Sequence, residues 1–507
     1  MEIPEADSSS SMGSPGWLAV LDSLPTEQMN FLLGQICALP LALIFRKYLH
    51  PTKTNPIVRH AVATLLGFYL CMFCYGWCTV FILGEVIVSY VILLVSDRSR
   101  VHVYSLLFAM GYLTIFQINR LLDSSEESSD FTVPMMILTQ KITKVAFELH
   151  DGTARPPESL SPSQKIQALR KLPSPLEYLS YNFNFMGILA GPLCSYNDYV
   201  SFIEGTHYQR GGDLDQLKEN GTQKRSEPSP TNAVLEKVVT SFLLLAIHMT
   251  LSKVVPVAYN IEESFFGTAP LLHRLLYLYI SLAACRPKYY IAWTLADAIH
   301  NAAGFGFSGY GKDGKPRWDL IRNLCIVRIE LATSLKMFID NWNIQTAVWL
   351  KEICYDRCAA SPTLATFVLS AVWHGVHPGY YLTFLTGMLM TLAARAVRRN
   401  LRHRFLISTS HKIFYDVVTW AATQVAVSYI VAPFILLYLG PSLKFYRSYW
   451  FCLHLLAAFL ILLLPKKRQS PCREAEGAGH TLQDPELRQN GCALSMDRNG
   501  NQARKAL

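Results

Sequence analysis

Charged residues are scarce in this chain. Asp, Glu, Lys and Arg make up 16% of the 507 residues, whereas hydrophobic residues make up 51%. A soluble globular domain carries about 25% charged residues. The composition therefore argues against a set of soluble domains and predicts one polytopic membrane domain. The net charge of +9 does not indicate nucleic-acid binding, because the Lys and Arg residues cluster at the ends of apolar runs, as the positive-inside rule requires.

Several signatures of other protein classes are missing. Residues 1–28 hold acidic residues but no Lys or Arg, so the basic start of a cleavable signal peptide is absent. The 12 cysteines show neither metal-ligand spacing nor a disulfide framework, so we expect no metal and no cofactor. No repeat of fixed period is visible. No Gly-x-Ser-x-Gly elbow stands out, which argues against a covalent serine intermediate.

Apolar runs follow one another through most of the chain and predict membrane spans. We place them at about 30–45, 60–77, 79–96, 102–121, 234–256, 271–300, 363–394, 414–439 and 446–464, with weaker candidates at 134–148 and 178–203. The expected fold is therefore all-α, a polytopic membrane protein with about nine to eleven transmembrane helices and re-entrant segments.

The loop charges predict how the spans are oriented. Basic loops follow the first and third spans, and an acidic loop at 123–130 follows the fourth. We expect a luminal segment at 1–28, a membrane domain at 29–465 and a disordered cytosolic tail at 466–507. The tail ends in Arg504-Lys505-Ala506-Leu507, which resembles a retrieval signal of the endoplasmic reticulum. Loop charge does not decide whether the glycosylation sequon at Asn220 is luminal.

One run holds an unusual histidine. Ser361–Ala394 is 34 residues long without Asp, Glu, Lys or Arg, and His374 lies 13 residues into it, about 20 Å deep at 1.5 Å per residue. Gly375, Pro378 and Gly379 break the helix at that depth. Broken backbone within a membrane is tolerated only where protein or a water-filled cavity satisfies it, so we expect His374 to face a cavity.

A second segment places amides among bulky apolar residues. Asn341–Leu350 holds two asparagines, a glutamine and two tryptophans. If the segment is helical, one face carries Trp342, Gln345, Thr346 and Trp349, with Asn343 at its edge. Because buried amides need hydrogen-bond partners, an interfacial helix alone does not account for them.

A buried neutral imidazole and an amide can catalyse acyl transfer. The imidazole can take the proton of an alcohol as its oxygen attacks an activated acyl carbon. An amide such as that of Asn343 can support the charge that develops on the acyl oxygen. Without a serine nucleophile, direct transfer between two bound substrates is favoured. A cavity inside the membrane implies that one substrate is a lipid.

Other motifs have simpler interpretations. The pattern Gly304-x-Gly306-x-x-Gly309 lacks the strand and helix of a dinucleotide site and predicts a turn. The His411-x4-Asp416 pair resembles an acyltransferase dyad but lies in a basic loop. Asp297, His300 and Asn301 share a helical face, as a satisfied polar cluster or as a substrate-lining surface. His374 and His377 have no neighbouring carboxylate or thiol with which to bind a metal.

Six blocks of sequence resemble the membrane-bound O-acyltransferase family, in its lysophospholipid acyltransferase branch. The blocks are Leu176–Asn182, Ala190–Tyr196, Arg286–Tyr290, Ala292–Ala298, Asn341–Thr346 and Ser370–Tyr381. The similarity extends over residues 28 to 465.

This resemblance implies a helical bundle that encloses a catalytic tunnel, with acyl-CoA arriving from the cytosol and a lysophospholipid from the bilayer. It implies that His374 is the general base and Asn343 its partner. We assign Tyr289, Tyr290, Asn301, Trp342 and Trp373 to the substrate-binding wall. The expected lysolipids carry ethanolamine or choline headgroups, or serine or the bare phosphate, and the expected location is the endoplasmic reticulum membrane.

Two alternatives stay open at this point. The same fold could acylate a protein or a peptide. A proton-coupled transporter could also carry an intramembrane histidine, although paired carboxylates or repeated halves, which transporters commonly show, are not visible in the sequence.

Overall fold

A computed structural model of the protein describes residues 26–122, 130–207, 228–311 and 313–464. Within these ranges most residues are helical, which confirms the all-α fold. The strands in the described residues are limited to a short antiparallel hairpin of β1 (Gly309–Tyr310) and β2 (Pro316–Arg317), and the remaining residues form turns and irregular segments. The predictions for the tail at 466–507, for most of the acidic loop and for Asn220 fall outside the described residues.

The first half of the chain forms mostly long helices. In chain order they are α1 (Thr26–Tyr48), α2 (Pro56–Tyr75), α3 (Thr79–Val95), α4 (Val101–Leu122), α5 (Thr132–Thr153), α6 (Pro162–Gln167), α7 (Pro175–Phe183), α8 (Tyr196–Glu204) and α9 (Thr231–Val254). Short 3₁₀ turns cover Gly76–Cys78, Pro157–Ser159 and Val257–Ile261.

The second half alternates long helices with short ones. They are α10 (Glu263–Phe266), α11 (Leu271–Ala303), α12 (Ile326–Glu330), α13 (Leu335–Asn341), α14 (Ile344–Leu350), α15 (Pro362–His374), α16 (Pro378–Phe405), α17 (Thr409–Leu436), α18 (Leu439–Ser448) and α19 (Cys452–Leu463). A π-helical turn, Lys351–Tyr355, continues α14.

Local capping signals explain where several helices begin. The Asn55 side chain accepts a hydrogen bond from the Ile57 amide at the start of α2, and Pro56 occupies the first helical position. Ser174 and Glu177 form a reciprocal capping box at the start of α7. These caps satisfy amide groups that a helix N-terminus leaves without partners.

In the part of the chain that the structure describes, six helical stretches are long and apolar enough to cross a membrane, or up to seven if one bent pair counts as a span. They are Thr26–Tyr48, Pro56–Val95, Val101–Leu122, Thr231–Ile261, Pro378–Phe405 and Thr409–Leu436, and the bent pair is α18 with α19, at 72°. The 40 residues of Pro56–Val95 include both α2 and α3. The polytopic membrane architecture is confirmed, and the number of nine to eleven crossings stays a prediction.

The weak span proposed at 178–203 is wrong. This region forms α7 and α8, each only nine residues long, joined by buried irregular backbone. Nine helical residues extend about 14 Å, well short of the roughly 30 Å of hydrocarbon in a bilayer.

Two hydrophobic cores fill the bundle. The first forms around α5, whose side chains are buried on nearly every side, and it takes in Trp349 and Trp373 from the second half of the chain. The second joins α11, α13 and α16 to α19, and it contains Tyr290 and Phe338. The segment from α13 to α15 therefore lies between the two cores.

The helix break beside His374 lies where the sequence predicts it. The candidate span at 363–394 is two helices, because α15 ends at His374 and α16 begins at Pro378. Gly375 adopts a φ of 141°, which disfavours any residue with a Cβ atom. A Cβ at Gly379 would lie 2.2 Å from the Pro433 carbonyl oxygen, so only glycine lets α16 approach the end of α17 this closely.

Gly379→Ala should destabilise the protein. The added methyl group has to push the end of α17 away, and such overpacking costs about 1–3 kcal/mol. The expected result is a lower midpoint of thermal unfolding in detergent. Gly440→Ala is the matched control, because a Cβ at Gly440 meets nothing within 4 Å. Equal midpoints for the two variants would contradict the packing at this break.

Candidate active site

His374 is the last residue of α15, and one of its two ring nitrogens is hydrogen-bonded within the described residues while the other is not. Its Nδ1 atom lies 2.7 Å from the Ser370 carbonyl oxygen. A carbonyl can only accept a hydrogen bond, so Nδ1 carries the proton and Nε2 presents a lone pair. Within the described residues no hydrogen bond involves Nε2, and the ring is partly accessible. This tautomer leaves Nε2 ready to accept a proton.

Aromatic rings surround the His374 imidazole. Ring centroids lie at 4.5 Å for Trp373, 4.7 Å for Phe384, 5.4 Å for Phe434 and 6.0 Å for Tyr380. These walls come from α15, α16 and α17, so three helices fix the ring. Because they keep bulk water from most of the imidazole, polar interactions made there are stronger than in water.

Gln117 of α4 supports the end of the helix that carries His374. Its Nε2 atom donates to the Trp373 carbonyl at 3.0 Å. That carbonyl belongs to the last turn of α15, where the carbonyl oxygens have no N–H donor within the helix. The Gln117 side chain also lies beside Gly375, 3.7 Å from the position of a hypothetical Cβ. The position of His374 is therefore fixed by the hydrogen bond to the neighbouring Trp373 backbone as well as by the contacts of its own ring.

Asn343 lies at a second backbone break, between α13 and α14. The segment Asn341–Leu350 is not one helix, because Asn343 adopts a left-handed conformation with φ 47° and ψ 52°. Asparagine tolerates this conformation better than most residues. Asn343 and the preceding Trp342 thus turn between two short helices, and both side chains are partly accessible.

Asn323 fixes the orientation of the Asn343 amide. The Gln345 backbone N–H donates to the Asn323 Oδ1 atom at 3.0 Å, so the Asn323 amide presents its oxygen to Gln345 and its Nδ2 group to Asn343. That Nδ2 atom lies 3.1 Å from the Asn343 Oδ1 atom. In the described residues the Asn343 Nδ2 group has no hydrogen bond, so it is a donor available to a substrate oxygen.

The loop that carries Asn323 is itself well anchored. The Gln345 side chain donates to the Arg322 carbonyl at 3.2 Å, and Asp319 pairs with Arg317 at 2.7 Å. Burial raises the pKa of Asp319, but hydrogen bonds from Ser308 and Arg317 outweigh this effect and hold the pKa below its usual value. The loop is therefore charged and hydrogen-bonded rather than loose.

Helix α14 begins at the Asn343 break and packs against α15, the helix that ends at the His374 break. The Trp349 ring lies 5.8 Å from the Trp373 ring, and Trp373 directly precedes His374. The Trp349 indole N–H donates to Thr143 of α5 at 2.9 Å, and Gln140 donates to Thr346 at 2.9 Å. The segment that begins at Asn343 is thereby fixed against α5 and against the helix of His374.

The aromatic residues assigned to the substrate wall separate into accessible and buried groups. The rings of Tyr289 and Tyr290 lie 5.6 Å and 5.8 Å from Trp342. Tyr289 and Trp342 are partly accessible, as a cavity wall requires, whereas Tyr290 is 2% exposed and donates its hydroxyl to Glu330. Trp373 is also buried, and its indole N–H donates to the Met136 carbonyl at 3.0 Å.

Asn301 lies away from this group. It follows Tyr289 by 12 residues along α11, about 18 Å at the helical rise. Asn301 is fully buried and donates to the Trp318 carbonyl at 3.4 Å. The Asp297 carboxylate on the same face pairs with Lys237 at 2.7 Å, so this face belongs to a polar cluster between helices. The role of Asn301 in substrate binding stays a prediction.

The two breaks thus present complementary polar atoms. His374 offers an acceptor, and Asn343 offers a donor. A base and an oxyanion donor are what acyl transfer to a hydroxyl needs. No group of three His, Cys, Asp or Glu side chains able to hold a metal ion occurs in the part of the chain that the structure describes.

Residues 29–432 match the model of MBOAT, the membrane-bound O-acyltransferase family. The chain belongs to this family. It is therefore an acyltransferase and a multi-pass membrane enzyme, and the resemblance noted from the sequence is confirmed.

Curated relatives are similar over most of the enzyme. "Membrane-bound glycerophospholipid O-acyltransferase 2" of Gallus gallus is 56% identical over 447 residues, 88% of this chain and 86% of the relative. "Membrane-bound glycerophospholipid O-acyltransferase 1" of Mus musculus is 50% identical over 460 residues, 90% of this chain and 94% of the relative. "Lysophospholipid acyltransferase 6" of Drosophila melanogaster is 41% identical over 472 residues, 92% of this chain and 65% of the relative.

Two residues that support the candidate site, Gln117 and Asn323, are not predicted from the sequence. Gln117 is one of two amide side chains in the mostly apolar helix α4, the other being Asn119, and Asn323 precedes Asn343 by 20 residues in a polar loop. The amide within the apolar run of α4 is a detectable signal, because such a group needs a partner. Asn323 carries no comparable signal, since its role depends on how the loop folds back.

Asn323→Asp should lower the rate of acyl transfer about tenfold without unfolding the protein. A carboxylate can still accept from the Gln345 amide, but it has no N–H to donate to Asn343. The Asn343 amide would then turn its donor toward the new carboxylate and away from the substrate. The measurement is acyl transfer in membranes, with the thermal midpoint in detergent as the test of folding.

Asn341→Asp provides the control in the same segment. The Asn341 side chain bonds only to the Met337 carbonyl among the described residues, so transfer should stay within about twofold of wild type. Equal rates for the variants at 323 and 341 would contradict the orienting role of Asn323.

Proposed function

We propose that the enzyme transfers a fatty acyl group from acyl-CoA to the free hydroxyl of a lysophospholipid. The observation that carries this proposal is a pair of polar atoms that have no hydrogen bond within the described residues, Nε2 of His374 and Nδ2 of Asn343. Both lie at backbone breaks within a membrane domain. The names of the relatives, which specify glycerophospholipid or lysophospholipid acyltransferases, support a lipid acceptor over a peptide. Membership in an acyltransferase family argues against the transporter.

In the proposed reaction His374 is the general base. Its Nε2 atom removes the proton of the lysolipid hydroxyl as that oxygen attacks the thioester carbon. The Asn343 Nδ2 group donates to the carbonyl oxygen, on which negative charge develops. The tetrahedral intermediate then collapses, the carbon–sulfur bond breaks, and the proton on His374 passes to the departing thiolate. The products are a diacyl phospholipid and free CoA.

The scheme requires both substrates to be bound at once. No acyl-enzyme intermediate forms, so the cavity has to hold the thioester and the hydroxyl together. Tyr289 and Trp342 are partly accessible and suited to line the part of the cavity that holds the acyl chain. Trp342 directly precedes Asn343, and the Tyr289 ring packs on Trp342. Acyl-CoA is a co-substrate in this proposal, and we assign no cofactor.

We assign the enzyme to the endoplasmic reticulum membrane and to phospholipid remodelling. The names of the relatives, which specify glycerophospholipid and lysophospholipid acyltransferases, support a role in phospholipid metabolism, and the basic loops predicted on one side suit a cytosolic face. Lysolipids with ethanolamine or choline headgroups are the first candidates, and lysophosphatidylserine and lysophosphatidate follow.

His374→Ala should abolish acyl transfer while the amount of protein in the membrane is unchanged. Asn343→Ala should lower the rate at least tenfold, equivalent to about 1.4 kcal/mol of the barrier. His411→Ala is the matched control, since His411 is exposed at the start of α17 and belongs to the rejected His-x4-Asp pair. Near-wild-type transfer by His374→Ala would rule out the proposed base.

A lysolipid panel tests the substrate class. Membranes that contain the enzyme are supplied with oleoyl-CoA and with lysolipids of each headgroup, and the His374→Ala variant serves as the blank. We expect transfer to ethanolamine or choline lysolipids above this blank. Transfer to a serine-containing peptide, with none to any lysolipid, would overturn the lipid assignment.

A further inference from the structure

An ion pair lies within the bundle behind the Asn343 break. Arg286 of α11 and Glu330 of α12 approach to 2.6 Å, and the Arg286 side chain is 6% exposed. The second guanidinium nitrogen of Arg286 donates to Gln424 of α17 at 3.1 Å, and Tyr290 donates its hydroxyl to Glu330 at 2.7 Å. The Glu330 side chain is 33% exposed, and such a half-buried pair gains little stability, because solvent screening and desolvation offset the attraction between the charges. Its position therefore calls for another explanation.

This network holds a helix that could not persist alone. Helix α12 has five residues, far fewer than an isolated helix needs in water. Its Glu330 backbone carbonyl accepts from the Trp420 indole at 2.8 Å and from the Gln424 side chain at 3.1 Å. Backbone and side chain of Glu330 are thus both fixed, and α12 is joined to α11 and α17.

The same network contacts Trp342 from two sides. The Arg286 guanidinium lies 5.5 Å from the Phe338 ring centroid, and Phe338 stacks on Trp342 at 5.8 Å with an interplanar angle of 17°. The ring of Tyr290 meets Trp342 edge-on at 5.8 Å. Phe338 and Tyr290 therefore link Trp342 to the Arg286–Glu330 pair, while Tyr289 and Trp293 of α11 also contact the Trp342 ring, at 5.6 Å and 5.5 Å.

Trp342 directly precedes Asn343, whose backbone is in the left-handed region. We propose that the Arg286–Glu330 pair, with Tyr290 and Gln424, is a positioning device for catalysis. It holds Trp342 in place and so fixes the direction in which the Asn343 amide donates. This inference depends on the proposed function, because it assigns the pair a role only through Asn343.

A double-mutant cycle between Glu330 and Asn343 tests the proposal. Glu330→Gln keeps the size of the side chain but removes its charge and replaces one acceptor oxygen with a donor group, so Arg286 loses its charged partner and the Tyr290 hydroxyl has to turn from donor to acceptor. In the wild-type background we expect turnover to fall about tenfold, with the KM values for oleoyl-CoA and lysolipid within threefold of wild type. In the Asn343→Ala background the same change should lower turnover less than twofold. If Asn343→Ala leaves no measurable transfer, the milder Asn343→Ser takes its place.

The controls separate positioning from general damage. Asp340→Asn removes an exposed ion pair with Lys336 in α13 and should leave turnover and the cycle unchanged. If Glu330→Gln unfolds in detergent, Tyr290→Phe enters the same cycle, because it removes only the hydroxyl and keeps the ring on Trp342.

Three results would overturn the positioning role. They are wild-type turnover in Glu330→Gln, a full tenfold loss that persists in the Asn343→Ala background, and full turnover in Asn343→Ala itself. A failure of the proposed function would differ from these three results, because the wild-type enzyme itself would then transfer no acyl group from oleoyl-CoA to any lysolipid.

Discussion

Backbone that breaks inside an apolar bundle must find its hydrogen-bond partners within the protein or in a water-filled cavity. This constraint shapes both halves of the site. At the first break, the Gln117 side chain donates a hydrogen bond to the Trp373 carbonyl, which has no partner within α15. At the second, Asn323 satisfies the Ile344 and Gln345 amides at the start of α14. At the second break the same residue, Asn323, also orients the Asn343 amide, whereas at the first the His374 ring is oriented by the Ser370 carbonyl.

The same constraint explains why one polar atom remains available at each break. His374 uses Nδ1 to bond its own helix, and Asn343 uses Oδ1 to bond Asn323. The remaining atoms are an acceptor and a donor, and they lie on segments that meet through the contact of Trp349 with Trp373. Rigid support of this kind is what electrostatic stabilisation of a transition state requires, since the dipoles do not have to reorient during the reaction.

Sequence reasoning succeeded where the signal is local. The break beside His374 follows from Gly375 and Gly379, and the structure shows the physical need for each glycine. The reasoning failed where tertiary packing decides. Nothing in the periodicity of Asn341–Leu350 shows that Asn343 leaves the helix, because that depends on Asn323 in a folded-back loop. The apolar stretch at 178–203 was misjudged for a similar reason, since irregular backbone buried by protein has the composition of a span.

The central claim is that the acyl carbonyl is bound between His374 and Asn343. A structure of the enzyme with a ketone analogue of oleoyl-CoA, in which a methylene group replaces the sulfur, tests it most directly. The account predicts the ketone oxygen within about 3 Å of the Asn343 Nδ2 atom, with the His374 Nε2 atom facing the space beside the ketone carbon. A ketone bound out of reach of both atoms would contradict the account.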